Sequence, residues 1–153
     1  MHALIAAPGA GRQSRGPTTA RSVEESEVRD WFARYLSAFA ALGRGESRPS
    51  DVVPYYGVPF LLTTDDVLVS LGTVGEVAAW LQSQAATMSA AGYSHTETLG
   101  SDVAILNRNT AVHRADFSRQ RADGTEINQM SVTYVITREP EGFRIATLVL
   151  HSP

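Results

Sequence analysis

The stretch from Tyr93 to His151 constrains this chain most. It reads as four successive β-strands, separated by Asn107-Arg108-Asn109, by Asp123-Gly124 and by Glu139-Pro140-Glu141-Gly142. Two amphipathic helical stretches come before it. Helices followed by an antiparallel meander make an α+β pattern, in which the helices must cover one face of the sheet. A curved sheet wrapped around a helix leaves a pocket, and that pocket is where function is to be sought.

The middle of the meander carries its own register. Asp-Gly is a favoured two-residue hairpin turn. With Ala122 opposite Thr125, Phe117 faces Met130, Ala115 faces Val132 and His113 faces Tyr134. One face is then Ala111, His113, Ala115, Phe117, Met130, Val132, Tyr134 and Ile136. The other is Arg114, Asp116, Ser118, Gln129, Ser131 and Thr133. Apolar inside and polar outside is the alternation of a half-solvated antiparallel sheet, and a one-residue slip would reverse it. The first strand, Tyr93 to Leu106, has a bulge site at Gly100. In the last strand a four-residue loop at 139–142 points Ile145, Thr147, Val149 and His151 inward. One residue more or less points Ala146, Leu148 and Leu150 inward instead. Both faces of that strand are apolar, which suggests a covering second subunit and hence a homodimer.

Ahead of the sheet, Val28, Trp31, Phe32, Tyr35, Leu36 and Phe39 recur at spacings of three and four, the mark of a helix with one broad apolar face. Ser22 and Glu25 resemble a capping box at its start, and Gly43 and Gly45 end it. A short helical turn and a loop follow over 46–57. Phe60-Leu61-Leu62 and Val67-Leu68-Val69 flank Thr63-Thr64-Asp65-Asp66 as a small hairpin. Thr73 is the expected N-cap of a second helix, which carries Val74, Val77, Ala78, Leu81 and Ala85 and closes at Gly92.

Residues 1–21 are rich in Gly, Pro, Ser and Arg and lack periodicity, so a disordered tail is expected there, with a single α+β domain over 22–153. The apolar run Ala3–Ala7 is too short for a secretory signal, and the expected location is the cytoplasm. At 153 residues the chain can bury one real core. Net charge is −3, which gives no electrostatic footprint for nucleic acid. No apolar run is long enough for a membrane span. The absence of cysteine removes thiolate nucleophiles and thiolate metal sites. All thirteen basic residues are arginine, which excludes lysine Schiff-base chemistry and a Walker-type phosphate loop.

Three segments carry a resemblance: RYLSAF (34–39), VLVSLGTVGEVAAWL (67–81) and RADGTEINQMSVTYVITREPEGFRIATLVLHS (121–152). Together they are similar to the nuclear transport factor 2-like superfamily, which includes ketosteroid isomerases, polyketide cyclases, scytalone dehydratase and limonene epoxide hydrolase. The resemblance implies a curved antiparallel sheet forming a cone around the N-terminal helices. It also implies that Tyr35 stands where ketosteroid isomerases place an oxyanion-hole tyrosine. Their catalytic Asp falls near Thr63 and their protonated Asp near Tyr134, so neither carboxylate is present, and the acidic residue of the cyclases has no counterpart. Arg114-Ala115-Asp116 fits half of the epoxide hydrolase constellation; the last strand lacks the other carboxylate.

The candidate chemistry therefore falls on His113, Tyr35 and Tyr134. An inward histidine can act as acid or base near neutral pH, and the two phenols can donate hydrogen bonds to a developing oxyanion. Ordinary core packing of all three accounts for the same pattern. Trp31, Phe39, Phe60, Phe117, Met130, Val132 and His151 would line the ligand site. His95, Glu97, His113 and His151 match no zinc spacing, so no metal and no cofactor is expected. The function expected is a cofactor-free isomerase, cyclase or dehydratase for an apolar oxygenated small molecule. The alternatives are a non-catalytic binding or dimerisation module and an epoxide hydrolase with Arg114 and Asp116 facing inward.

Overall fold

The computed structural model describes residues 23–153. The tail expected over 1–21 and the cap expected at Ser22 lie outside the described residues. Helix α1 spans Glu25–Gly43, with Glu24 as its N-cap; the Glu27 carboxylate accepts a hydrogen bond from the Glu24 backbone N–H at 3.3 Å. A single helical turn, α2 (Pro49–Val52), and a 3-10 turn at Val53–Tyr55 lead into β1 (Tyr56–Thr63). Then come β2 (Leu68–Leu71), α3 (Val74–Ala90), β3 (Tyr93–Asn107), β4 (Thr110–Arg121), β5 (Glu126–Glu139) and β6 (Gly142–Leu150). Thr73 caps α3, its hydroxyl accepting from the Glu76 N–H at 3.1 Å.

The sheet has six strands in the order β2-β1-β6-β5-β4-β3. The meander is antiparallel, but β1 joins β6 in parallel, so the sheet is mixed. A hairpin cannot make a parallel pair, and the excursion through β2, α3 and three strands supplies the crossover that such a pair requires. The helices lie against one face. Val28, Phe32 and Tyr35 of α1, Val77 and Leu81 of α3, and Ala111, Ala115, Val132, Ile136 and Ile145 of the sheet form one buried cluster. At the end of α1 the helices and β3 close on each other: a Cβ at Gly43 would run into Met88 and come within 2.9 Å of the Tyr93 ring.

The β4–β5 register is the one the alternation predicts, with Phe117 opposite Met130, Ala115 opposite Val132 and His113 opposite Tyr134. The turn that sets it differs. The expected two-residue turn is a three-residue loop, Ala122-Asp123-Gly124, closed by hydrogen bonds from the Arg121 N–H to the Thr125 carbonyl and from the Gly124 N–H to the Arg121 carbonyl. Gly124 takes φ +87°, a conformation that glycine adopts at little steric cost. Such a loop alone would shift the register by one. An irregularity that leaves Ile127 unpaired, between Arg119↔Asn128 and Gln120↔Glu126, restores it.

Strand β6 follows neither of its two expected registers throughout. Ile136 pairs with Ile145, then the register shifts, and Tyr134 pairs with Leu148 and Val132 with Leu150. The bulge at Ala146 reverses the parity, so Ile145, Leu148 and Leu150 all join the core side. It accounts for the two-sided apolar pattern that the sequence offers as grounds for a covering subunit. The same reversal turns His151 outward, where its Nε2 lies 2.6 Å from the Thr133 hydroxyl.

Candidate functional site

A cavity of about 200 Å³ lies between α1, α3 and the concave face of the sheet. Helix α1 contributes Tyr35, Leu36 and Phe39, one turn apart on the face that the i, i+3, i+4 pattern turns to the sheet. Trp80 and Gln84 come from α3, Thr96 from β3, Phe117 and Arg119 from β4, and Met130, Val132 and Tyr134 from β5. Leu148 and Leu150 come from β6 and reach the cavity because of the bulge.

Of the residues expected at the site, Tyr35, Tyr134, Phe39, Phe117, Met130 and Val132 line this cavity. Trp31 does not; its ring sits 5.6 Å from Tyr55 and 5.8 Å from Phe143, at the other end of the aromatic stack. Phe60 is fully buried behind the cavity wall, between Tyr56 and Trp80 at centroid distances of 4.8 and 5.3 Å. His151 is on the outer face for the reason given above. His113 faces inward but not into this space. It is 4% exposed, its ring stacks on Phe32 at 4.0 Å, and it lines a separate cleft with Arg29, Ala33, Thr98 and Ser101. Leu36 and Phe117 border both spaces and stand between them.

The two phenols of the cavity are held differently. The Tyr35 hydroxyl shares a hydrogen bond of 2.5 Å with the hydroxyl of Tyr56, both buried. Burial raises the pKa of Tyr35 well above its ordinary value, with a further push from Tyr56. Tyr134 is raised as well, again chiefly by burial, then by Tyr35, whose ring centre is 6.1 Å away. Each remains a neutral donor at physiological pH. His113 moves the other way: burial, then the Arg29 charge, lower it to about 4, against a smaller opposing pull from Asp102. It is a neutral imidazole, with a buried Nδ1 that has no hydrogen-bond partner among the described residues.

Arg119 was not expected here, although it shares the inward parity of Phe117 and Ala115. Its charge alone argues for solvent, and only the alternation signals otherwise. Its guanidinium carbon is 5.9 Å from the centre of the Phe39 ring. Burial lowers its pKa, while the phenols of Tyr93, Tyr134, Tyr35 and Tyr56 act in the opposite sense.

Every polar group that the cavity presents can donate: a guanidinium, two phenols, Thr96 and the Gln84 amide, of which the hydroxyls and the Gln84 carbonyl can also accept. Among the described residues no carboxylate and no imidazole lines it. Arg114 and Asp116 are exposed on the outer face, with Asp116 accepting from the Ser131 hydroxyl at 2.5 Å, so the inward pair that epoxide hydrolysis requires is not there. Among the described residues no three His, Asp or Glu side chains are grouped to hold a metal ion.

A cone-shaped α+β domain with an aromatic cavity between its long helix and its sheet is the NTF2-like class. The chain belongs to it: residues 24–153 match the family described as NTF2-like protein (DUF6841). Among solved structures, a domain of unknown function with a cystatin-like fold from Nostoc punctiforme is 19% identical. The match covers 86% of this chain and 80% of that one, with a TM-score of 0.63. An NTF2-like protein with a cystatin-like fold from Novosphingobium aromaticivorans is 18% identical, with 82% and 79% covered and a TM-score of 0.60. The yeast UBP3-associated protein BRE5 is 15% identical, with 80% and 94% covered and a TM-score of 0.61. These likenesses establish the fold. No curated protein matches the sequence.

Proposed function

We propose that this protein takes one apolar, oxygenated small molecule into the cavity between α1, α3 and the sheet, and that it acts there as a ligand-binding module. The observation that supports this reading is the one-sidedness of the lining. Tyr35, Tyr134 and Arg119 can donate to an oxygen atom, but no lining side chain is a ready proton acceptor. A general base must come within hydrogen-bond reach of the proton it removes. His113, the inward imidazole, is on the far side of Leu36 and Phe117.

Trp80 lines the cavity and Trp31 does not, so intrinsic fluorescence reports occupancy. Titration with neutral probes, acetophenone and benzyl alcohol, should give a saturable change in the wild-type protein. The change should disappear in Val132→Phe, which fills the space while keeping the circular dichroism spectrum. A wild-type protein that responds to neither probe would sink this reading.

A second reading is favoured by the Tyr35–Tyr56 hydrogen bond. In a cofactor-free isomerase, cyclase or dehydratase, two buried phenols kept protonated would stabilise a developing oxyanion. Turnover by such an enzyme should fall by about 10²–10³ in Tyr35→Phe, the usual cost of one lost oxyanion donor. It should be nearly unchanged in His113→Ala. A large loss in His113→Ala would instead bring the imidazole into the reaction.

A further inference from the structure

Several of the arginines other than Arg119 have partners, while Arg34, Arg48, Arg108 and Arg114 stand exposed to solvent. Arg29 pairs with Glu25 at 2.9 Å, Arg44 with Glu46 at 3.0 Å, and Arg138 with Glu27 at 3.5 Å. Arg121 donates to the Ala91 and Glu126 carbonyls at 2.9 and 3.2 Å. Arg119 makes no ion pair and no hydrogen bond among the described residues; its charge meets the face of the Phe39 ring at 5.9 Å and nearby phenols. It is half-buried, and it faces a cavity that is otherwise largely apolar. A guanidinium carries five N–H donors and keeps its charge at any physiological pH. Withdrawing such a charge from water without a partner is costly.

The neighbours narrow what a partner would be. Among the described residues Arg119 is the sole cation of the lining, so it neutralises one negative charge. Its planar fork matches a carboxylate with two parallel hydrogen bonds. Tyr134, whose hydroxyl makes no hydrogen bond among the described residues, offers another donor to the same space. Size sets the rest. Benzene fills an apolar cavity of about 150 Å³. The 200 Å³ here thus hold one such ring and a short acid-bearing arm, walled by Phe39, Trp80, Met130 and Leu148.

We propose that the cavity binds a monocarboxylate bearing a single aromatic or equally compact apolar group, with Arg119 as its counter-ion. This rests on the pocket reading above and adds the charge and size of the ligand to it. The apolar end lies among the aromatic and aliphatic walls, and the carboxylate meets the guanidinium.

The test is calorimetric titration of the full chain with 3-phenylpropanoate, 3-phenylpropanamide and 3-phenylpropanol. The three share one ring and one arm length and differ in charge. The wild-type protein should prefer the acid to both neutral probes by about tenfold or more, the usual scale for a hydrogen bond to a charged group. Arg119→Gln should lose that preference, with affinity for the acid falling about tenfold or more beyond any fall for the alcohol. Equal affinity for all three in the wild type, or a preference that survives Arg119→Gln, overturns the counter-ion role and leaves the pocket reading standing. No binding of any probe to the wild type overturns both. If Arg119→Gln does not fold, Arg119→Lys decides. A lysine keeps the charge but not the fork, so the preference should shrink and persist; a preference equal to that of the wild type overturns the role.

Discussion

Two clefts flank Phe117 on the same inner face of the sheet, and they are built from opposite materials. On one side a cavity of about 200 Å³ is lined by Tyr35, Tyr134 and Arg119, which makes no ion pair among the described residues, and all three can donate. On the other, a smaller cleft holds His113, a neutral acceptor whose pKa burial has lowered to about 4. An acid–base enzyme needs donor and acceptor in one space. Here two apolar side chains, Leu36 and Phe117, keep them apart. Inward orientation alone does not make a site. Position along the strand decides which space an inward residue reaches.

The largest effect should come from removing that wall. Phe117 is 3% exposed, and Phe117→Ala should cost about 3–5 kcal/mol, seen as a drop in the urea midpoint, by lost transfer energy and an unfilled cavity. A variant with a nearly unchanged midpoint would mean that Phe117 is not the packed divider described here.

Next is the pH dependence of the His113 side. Its folded pKa of about 4 lies below the ordinary 6.5, so between these values the unfolded chain binds the extra proton. Stability should therefore be full above about pH 6.5 and fall as pH drops toward 4, by up to about 3 kcal/mol from this residue. Denaturation at pH 7 and pH 4.5 should show a smaller loss in His113→Leu than in the wild type. An equal loss in both would place the acid sensitivity elsewhere.

On the donor side, Tyr35→Phe leaves the Tyr56 hydroxyl buried without its partner and should cost about 1–3 kcal/mol. The double variant Tyr35→Phe with Tyr56→Phe should be less damaging than the two single costs added, since both ends of the bond go together. Strict additivity in the double-mutant cycle would mean that the 2.5 Å hydrogen bond contributes nothing of its own.

The smallest effect has the opposite sign. Arg119→Met replaces a charge that has no ion-pair partner among the described residues with a shorter apolar chain. It should raise stability by about 0.5–2 kcal/mol, the common gain when a functional residue held against stability is removed. Its melting temperature should rise. A fall would show that Arg119 supports the fold, and the contrast between the two clefts would lose its functional meaning.

Much of the fold was legible because its signals are local. Val28, Phe32 and Tyr35 mark the apolar stripe of α1 by spacing, and Thr73 marks the start of α3 by its hydroxyl. The alternation through β4 and β5 carried the pairing of His113 with Tyr134 even though the turn was a different one. Part of the cavity lining followed, because Tyr35, Phe39, Phe117, Met130, Val132 and Tyr134 lie on faces that such patterns identify. Arg119 was legible by the same parity, but an arginine on an apolar face reads first as a solvated charge.

What the sequence by itself determined is which residues turn inward along α1, β4 and β5, since side-chain period is a property of the local backbone. It also determined which chemistries are impossible without cysteine or lysine. The tertiary structure decided the rest. The bulge in β6 brought Leu148 and Leu150 to the cavity and turned His151 away from it. The packing of Phe32 and Phe117 put His113 in its own cleft. Strand periodicity specifies a face but not a depth. Depth within the cone is set by strand stagger and helix placement, which arise only when distant segments pack.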